Sequence, residues 1–187
     1  MLNKIDEIIG DVDLDTLNLK YYVKTDFTNL DEDNKKMNIF FWDRGGIKLD
    51  NWIKHINHED INEILYFPIP DYGRNKSNID NYLKNKDLNI TLIKENFLTK
   101  SKFLDLISKC NVFISPRKKE GIGMTIVEAI SRGMFVVGFN ASTLNEYITD
   151  QKIGFLFDEK SINKIDINNI IENYEFRKSI AQENYVN

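Results

Sequence analysis

The stretch that decides the fold is CNVFISPRKKEGIGMTIVEAISRGMFVVGF, residues 110–139. It contains two short apolar runs, 110–115 and 134–139, on either side of an amphipathic stretch, 124–133. Both runs are apolar on consecutive positions and rich in β-branched or aromatic residues, which is typical of strands buried on both faces. Gly133 stands where a helix would end, directly before the second run. The stretch therefore predicts a strand, a helix and a second, parallel strand.

The same pattern extends along the chain on both sides of this stretch. Strand-like and helix-like segments alternate about six times, so the predicted fold class is α/β, a Rossmann-like doubly wound parallel sheet of about six strands. Thr143 followed by Glu146 is a capping-box pattern, which predicts that one of the helices starts there. The predicted strands are NIFFW (38–42), EILYFPI (63–69), LNITLI (88–93), CNVFIS (110–115), MFVVGF (134–139) and IGFLF (153–157).

The composition is that of one globular domain. The 187 residues are 42% hydrophobic and carry a net charge of −4, which favours neither nucleic acid nor an anionic membrane as a partner of the whole molecule. The single cysteine, Cys110, excludes an internal disulfide and is interpreted as a small buried hydrophobic residue. His55 and His58 have a spacing compatible with a metal, but no third histidine accompanies them. We interpret them as a surface pair and expect no metal.

The chain divides into a short appendage and one domain. Residues 1–36 have the densest acidic usage and little periodicity, so they are interpreted as an appendage or linker. Residues 37–187 form the predicted Rossmann-like domain. Met1 leads into an acidic stretch rather than a signal peptide, and no apolar run approaches the roughly 20 residues of a membrane span. A cytoplasmic protein is expected.

Two segments at predicted strand ends carry candidate anion-binding residues. In a parallel sheet of this type, ligands bind beyond the carboxyl ends of the strands. The segment WDRGGIK (42–48) offers the cations Arg44 and Lys48 around Gly45 and its neighbouring glycine. Glycines let the backbone approach an anion closely, and the two cations can stabilise it. The alternative is a glycine turn with two solvated charges.

The second segment is the turn EGIG, residues 120–123. Gly121 and Gly123 open a predicted helix whose free N–H groups favour a phosphate. A carboxylate at Glu120 suits sugar hydroxyls, and Glu128 could accept from the hydroxyl pair of a ribose. The alternatives are an acidic residue that favours the helix start for Glu120, and a solvated helix position for Glu128.

The segment 110–158 resembles the donor-binding C-terminal domain of retaining glycosyltransferases with the GT-B fold, of the group 1 or family 4 type. The resemblance rests on Pro116, on Glu120 four residues later within an E-G-x-G turn, on Glu128 eight residues after that, and on a closing GFLF. The segment 42–48 resembles the family's arginine and lysine that hold the donor diphosphate. Asp43 replaces the usual glycine there, and Lys48 lies one position closer to the arginine than is usual.

The resemblance implies a role for each matched residue. Arg44, Lys48 and Glu120 would be the catalytic residues, with Glu120 on the transferred sugar and the two cations on the diphosphate. Glu128 would bind the ribose, and Arg117 stands where a small residue is common. Asn96 and Phe97 would contact the base. The backbone amides of the glycine turn would contact the sugar and the phosphate, and the hydroxyl of Thr125 could reach a phosphate oxygen. The donor-binding positions implied are Gly45, Asn96, Phe97, Gly121, Ile122, Gly123, Met124, Thr125 and Glu128.

The resemblance also implies a function. A sugar would pass from a UDP- or GDP-type nucleoside diphosphate sugar to an acceptor in bacterial polysaccharide or lipopolysaccharide biosynthesis, without a cofactor or metal. Family members have two domains and this chain has room for the donor half alone, so an N-terminal acceptor domain or partner subunit is expected. That missing domain would hold the enzyme at the inner face of the membrane, and the chain alone would be inactive. The alternatives are a non-catalytic nucleotide-sugar-binding or regulatory module and half of a nucleotide-sugar epimerase.

Overall fold

A six-stranded, all-parallel sheet forms the centre of the protein. The structure, a computed structural model, describes residues 23–27, 35–74, 79–84, 87–121, 123–141 and 143–186. All six predicted strands are confirmed. Their bounds are β1 Met37–Trp42, β2 Ile61–Phe67, β3 Ile90–Leu92, β4 Val112–Ile114, β5 Phe135–Phe139 and β6 Gly154–Phe157.

The strand order is β3-β2-β1-β4-β5-β6. β1 and β4 are therefore neighbours, and Phe40 of β1 pairs with Leu65 of β2 on one side and Phe113 of β4 on the other. The chain winds away from β1 in both directions, so the carboxyl ends of β1 and β4 form the switch point where such sheets bind ligands. The predicted fold class, a Rossmann-like parallel sheet, is confirmed.

Helices cover both faces of the sheet, as consecutive apolar residues in the strands predict. Phe40 packs against Phe103 on one face, and Phe41 packs against Trp52 on the other, because successive side chains of a strand point to opposite faces. Within the described ranges, no helix is long and apolar enough to cross a membrane. The helices are α1 Leu49–Ile53, α2 Asp80–Lys84, α3 Lys100–Ile107, α4 Met124–Ser131, α5 Leu144–Tyr147, α6 Ile167–Glu172 and α7 Tyr174–Val186, with a 3-10 turn at His58–Asp60.

The capping box predicted at Thr143 is wrong, although a helix does begin there. Thr143 precedes α5 with a φ of 78°, and its side chain makes no capping bond. The hydroxyl donates instead to the carbonyl oxygen of Glu120, at 2.9 Å. The hydroxyl is thus used in a tertiary contact that ties the start of α5 to the loop after β4.

The interpretation of His55 as a surface residue is also wrong. Its side chain is 1% exposed and packs against the rings of Phe155 and Phe157, both with centroids at 5.3 Å. Nδ1 lies 2.8 Å from the carbonyl oxygen of Asn163. Burial lowers the pKa of His55. Cys110, by contrast, is buried as predicted, and this burial raises the pKa of its thiol.

A short N-terminal segment lies against α4. The N–H of Asp26 donates to the carbonyl of Ser131, and the carboxylate of Asp26 pairs with the buried guanidinium of Arg132 at 2.7 Å. Residues 1–22 and 28–34 lie outside the described residues. The division into an appendage at 1–36 and a domain at 37–187 therefore stays a prediction.

Candidate functional site

Three loops meet at the carboxyl ends of β1, β2 and β4: loop 1 (43–48), loop 2 (68–74) and loop 3 (115–121). They pack closely at Gly46, where a Cβ atom would lie 3.1 Å from Nη1 of Arg74 and 3.3 Å from the carbonyl oxygen of Pro116. Contacts that short are tighter than ordinary van der Waals contact, so a side chain at this second glycine of loop 1 would need Arg74 or the Pro116 carbonyl to give way. The loops that sequence analysis singled out after β1 and β4 therefore lie in contact.

A buried aspartate sets the shape of loop 1. Asp43 is 2% exposed and accepts hydrogen bonds from the hydroxyl of Tyr66 at 2.6 Å and from the N–H of Gly45 at 2.8 Å. A buried carboxylate is costly unless hydrogen bonds satisfy its oxygens, and these two bonds do so. Asp43, which replaces the usual glycine of the family, thus stabilises the turn that contains Arg44.

Arg44 points its guanidinium at loop 2. Its Nε and Nη2 both lie 2.7 Å from Oδ1 of Asp71, and its Cζ lies 4.4 Å from the centre of the Trp42 ring. The side chain is 23% exposed, so the ion pair is partly screened from water and its hydrogen bonds are charge-assisted. The indole and the carboxylate together fix the plane of the guanidinium.

Arg117 binds the same carboxylate from loop 3. Its Nε lies 2.7 Å from Oδ2 of Asp71, its Nη2 lies 2.8 Å from Oδ1, and its Nη1 lies 3.1 Å from Oε2 of Glu120. We call Arg44, Asp71, Arg117 and Glu120 the ion network. The two arginines, Arg117 foremost, lower the pKa of Asp71, and Asp71 raises the pKa of Arg117.

An open pocket of about 370 Å³ lies beside the ion network. Aromatic and aliphatic side chains from the ends of β1 and β2 form one part of it, and the first two turns of α4 form another. Five residues predicted to bind the donor line it together. The lining residues are Trp42, Phe67, Ile69, Asn96, Phe97, Leu98, Lys100, Phe103, Met124, Thr125 and Glu128.

Glu128 is held by a lysine at the edge of this pocket. Nζ of Lys100 lies 3.1 Å from Oε1 of Glu128, whose side chain is 13% exposed. The interpretation of Glu128 as a solvated helix position is therefore wrong. Its carboxylate is mostly shielded from water and lies at a pocket that its own helix helps to form.

The start of α4 has the geometry that sequence analysis predicted. Gly123 precedes the helix with a φ of 67°, a left-handed conformation that favours glycine. The first N–H groups of α4 have no partner within the helix, and Met124 and Thr125 of this turn line the pocket. A Cβ at Gly121 would meet open space. Ile122, the remaining predicted position of the turn, lies outside the described residues.

Lys48 differs from the other predicted residues. It is exposed directly before α1, and its N–H donates to the side-chain oxygen of Asn51 at 2.8 Å. It neither lines the pocket nor belongs to the ion network. The structure thus brings Arg44 and Glu120 into one network and Glu128 into the adjoining pocket, whereas Lys48 lies at the far end of loop 1.

Comparison with protein families identifies the chain. The family model "Glycosyl transferases group 1" matches residues 48–186, which is most of the sequence. This chain belongs to the group 1 glycosyltransferases. Glu120 and Glu128 lie within the matched region, and Arg44 lies just before it. A search of curated proteins finds no match to this glycosyltransferase chain.

Two solved structures resemble this glycosyltransferase chain in fold. "Crystal structure of GtfA/B complex bound to UDP and GlcNAc" has a TM-score of 0.50 and 10% identity over 97% of this chain. "Crystal structure of GtfA/B complex" has a TM-score of 0.46 and 15% identity over 87% of this chain. The chain spans 42% and 34% of the length of those two proteins. The first of these similarities shows the fold alone.

Three residues of this candidate site were not predicted from the sequence. Asp71 joins the two arginines, Trp42 lies under Arg44 and lines the pocket, and Lys100 holds Glu128. One signal was available for Asp71, because it follows β2 in a segment with two prolines and a glycine, as expected for a loop at a ligand-binding edge. Trp42 and Lys100 give no such signal, since each lies in an ordinary strand or helix pattern.

Proposed function

We propose that this chain is the donor-binding domain of a retaining glycosyltransferase, and that it holds a UDP- or GDP-type sugar at the carboxyl ends of β1 and β4. One observation carries the proposal: an apolar pocket with a carboxylate at its edge adjoins a network that contains two arginines. Trp42 lines the pocket and also packs against Arg44 of the network. A nucleoside diphosphate has the matching parts in the matching order. Its base has flat faces suited to stacking, its ribose carries two hydroxyls, and its phosphates are anionic.

The pocket suits the nucleoside. We assign the base to the side of the pocket formed by Asn96 and Phe97, where an exposed ring is available for stacking. Glu128 accepts hydrogen bonds from the ribose hydroxyls, since an ionised carboxylate is an acceptor only. The amides at the start of α4 and the hydroxyl of Thr125 face the first phosphate, where the helix dipole favours negative charge.

The ion network suits the diphosphate and the sugar. When the bond between the sugar and the diphosphate breaks, negative charge grows on the leaving nucleoside diphosphate. Arg44 stabilises this charge, with Lys48 as a second cation once its exposed side chain turns toward the phosphates. Glu120 accepts from hydroxyls of the transferred sugar and fixes its orientation relative to the acceptor.

The chain supplies one side of the reaction. We propose that it works with an N-terminal acceptor domain or a partner subunit, in bacterial polysaccharide or lipopolysaccharide synthesis at the inner face of the membrane. Its coverage of 42% of the similar GtfA/B structure agrees with half of a two-domain enzyme. An acceptor held across the cleft would supply a proximity effect worth up to roughly 7–11 kcal/mol. Without it, the 187-residue chain binds its donor weakly and transfers no sugar, which radiolabelled donor and product analysis will test.

A thermal-shift panel tests the proposed binding. Uridine, guanosine, UDP, GDP and their common sugar conjugates are added to the purified chain, and the unfolding midpoint is measured. One base series should raise the midpoint, with the diphosphate more effective than its nucleoside. No shift with any nucleotide at millimolar concentration would refute the proposal. Robust sugar transfer by the chain alone would refute the requirement for an acceptor half.

A further inference from the structure

Asp71 is the only carboxylate of the described residues that contacts both arginines of the site. Oδ1 receives Nε and Nη2 of Arg44 and Nη2 of Arg117, and Oδ2 receives Nε of Arg117, all between 2.7 and 2.8 Å. The three residues come from three different loops, each at the end of a different strand. The carboxylate therefore joins loop 1 to loop 3 through loop 2.

The backbone fixes this carboxylate on the same frame as Arg44. The N–H of Asp71 donates to the carbonyl of Arg44 at 3.0 Å, and the N–H of Arg74 donates to the carbonyl of Asp71 at 3.0 Å. Nη1 of Arg74 also donates to the carbonyl of Gly45 at 3.0 Å. Loop 2 is thus bonded to loop 1 at Asp71 itself and again at Arg74, so Asp71 cannot move away from Arg44 without breaking its backbone bond to that residue.

The contact leaves part of Arg44 available. Asp71 takes Nε and one terminal nitrogen, and no residue in the described ranges accepts a hydrogen bond from Nη1. The indole of Trp42 lies along the guanidinium, at 4.4 Å from Cζ. A guanidinium fixed in this way presents its remaining N–H groups in one direction, which is what bidentate recognition of a phosphate requires.

Asp71 is also linked to Glu120, through Arg117. It holds Arg117 by two nitrogens, and the third nitrogen of Arg117 contacts Oε2 of Glu120 at 3.1 Å. The side chain of Glu120 is 7% exposed, so this contact and the Thr143 bond to its carbonyl leave it little freedom. One carboxylate therefore orients both the phosphate contact and the sugar contact assigned above.

We propose that Asp71 is a positioning residue of the donor site, which orients Arg44 for the diphosphate and, through Arg117, orients Glu120 for the transferred sugar. The inference rests on the proposed function for the identity of the ligand, but the positioning itself is tested without a nucleotide. The opposite role is a competing internal anion that the diphosphate displaces. When the charge of Asp71 is removed, the positioning role predicts weaker anion binding and the competing-anion role predicts tighter anion binding.

The experiment is a calorimetric titration with inorganic pyrophosphate, a probe that does not depend on the base. The variants are Asp71→Asn, which keeps the shape and removes the charge, and Glu159→Gln as a matched control. Glu159 pairs with Lys118, also of loop 3, and is 78% exposed. Both variants change the net charge by the same amount, so the control isolates the general effect of charge.

Positioning predicts that Asp71→Asn weakens pyrophosphate binding about ten-fold, the effect of losing one charge-assisted hydrogen bond. Glu159→Gln should change it less than about two-fold, because the pair is at the surface. Equal or tighter pyrophosphate binding by Asp71→Asn would overturn the proposal and favour a competing anion. Absence of any pyrophosphate binding by the unmodified chain would overturn it as well.

A second measurement is made on the unmodified chain, so it does not depend on the folding of the Asp71 variant. Side-chain ¹⁵N NMR of the unmodified chain reports rotation of each guanidinium about its Nε–Cζ bond, with signals assigned by Arg44→Lys and Arg117→Lys. Positioning predicts slow rotation for both arginines, and free rotation of Arg44 would overturn it. If the nucleotide panel fails while pyrophosphate binding depends on Asp71, the proposed donor is wrong and the positioning role stands.

Discussion

Replacement of Arg44 by alanine separates the phosphate contact from the rest of the site. The variant removes the guanidinium that lies 2.7 Å from Asp71 and 4.4 Å from the Trp42 ring, and it leaves Arg117 paired with Asp71. Because Asp71 keeps one arginine, no buried charge is stranded. We therefore expect a loss in the free energy of unfolding of about 1 kcal/mol or less, as for a partly exposed pair.

The effect on ligand binding should be larger and selective. A hydrogen bond to a charged group contributes roughly 1.5–3 kcal/mol, so Arg44→Ala should weaken nucleoside diphosphate binding by about 10- to 150-fold. The upper part of this range is expected, because half of the cationic charge around Asp71 is lost and its carboxylate then repels the diphosphate more strongly. Nucleoside binding should be unchanged, since the pocket of Phe97 and Glu128 is intact.

Isothermal titration calorimetry with the diphosphate and the nucleoside of the preferred base measures both effects on one protein preparation. Arg44→Lys is the matched control, because it keeps the charge and removes the fork that contacts Asp71. The affinity of Arg44→Lys for the nucleoside diphosphate should lie between that of the unmodified chain and that of Arg44→Ala. Equal losses for diphosphate and nucleoside would refute the phosphate role and show that Arg44 acts on the shape of the pocket.

Three further predictions concern other parts of the protein. Glu128→Ala should weaken nucleoside and diphosphate binding by the same factor in calorimetry, because the ribose is common to both ligands; a loss confined to the diphosphate would contradict this. Gly46→Ala should weaken diphosphate binding, because its Cβ would press on Arg74 and on loop 3; unchanged affinity would show that the loops can separate freely. His55 should make stability dependent on pH: burial lowers its pKa, so the unfolded chain binds the proton more readily and stability is lost as pH falls below about 6.5. Thermal unfolding between pH 8 and 5 measures this, and His55→Asn, which keeps a donor for the carbonyl of Asn163, should flatten the profile; an equally steep profile in the variant would contradict the assignment.

Much of the fold was predictable because both faces of the sheet are covered. Consecutive apolar residues such as Phe40 and Phe41 enter separate cores, so each strand leaves an uninterrupted apolar run in the sequence. Glycines at fixed places relative to the strands, such as Gly123 and Gly133, marked where helices begin and end. These signals are local, and the structure follows them.

Other features depend on which elements become neighbours, and no local pattern reports that. Asp71 was missed because its role depends on β2 lying beside β1, which the order of strands along the chain does not state. The capping box at Thr143 failed because a carbonyl from another loop, that of Glu120, receives its hydroxyl. His55 was misjudged because β6 and the chain after it, far away in sequence, cover the ring.

The strand order has a consequence for how the site comes into existence during folding. Arg44 and Asp71 are 27 residues apart in sequence, and Asp71 and Arg117 are 46 residues apart. The chain must therefore close two long loops and pair β1 with both β2 and β4 before the three loops can meet. A collapsed intermediate with native helices but an incomplete sheet would have no anion-binding site. Pyrophosphate would then slow unfolding and leave the rate of refolding unchanged, because it recognises the chain only after both neighbours of β1 are in place.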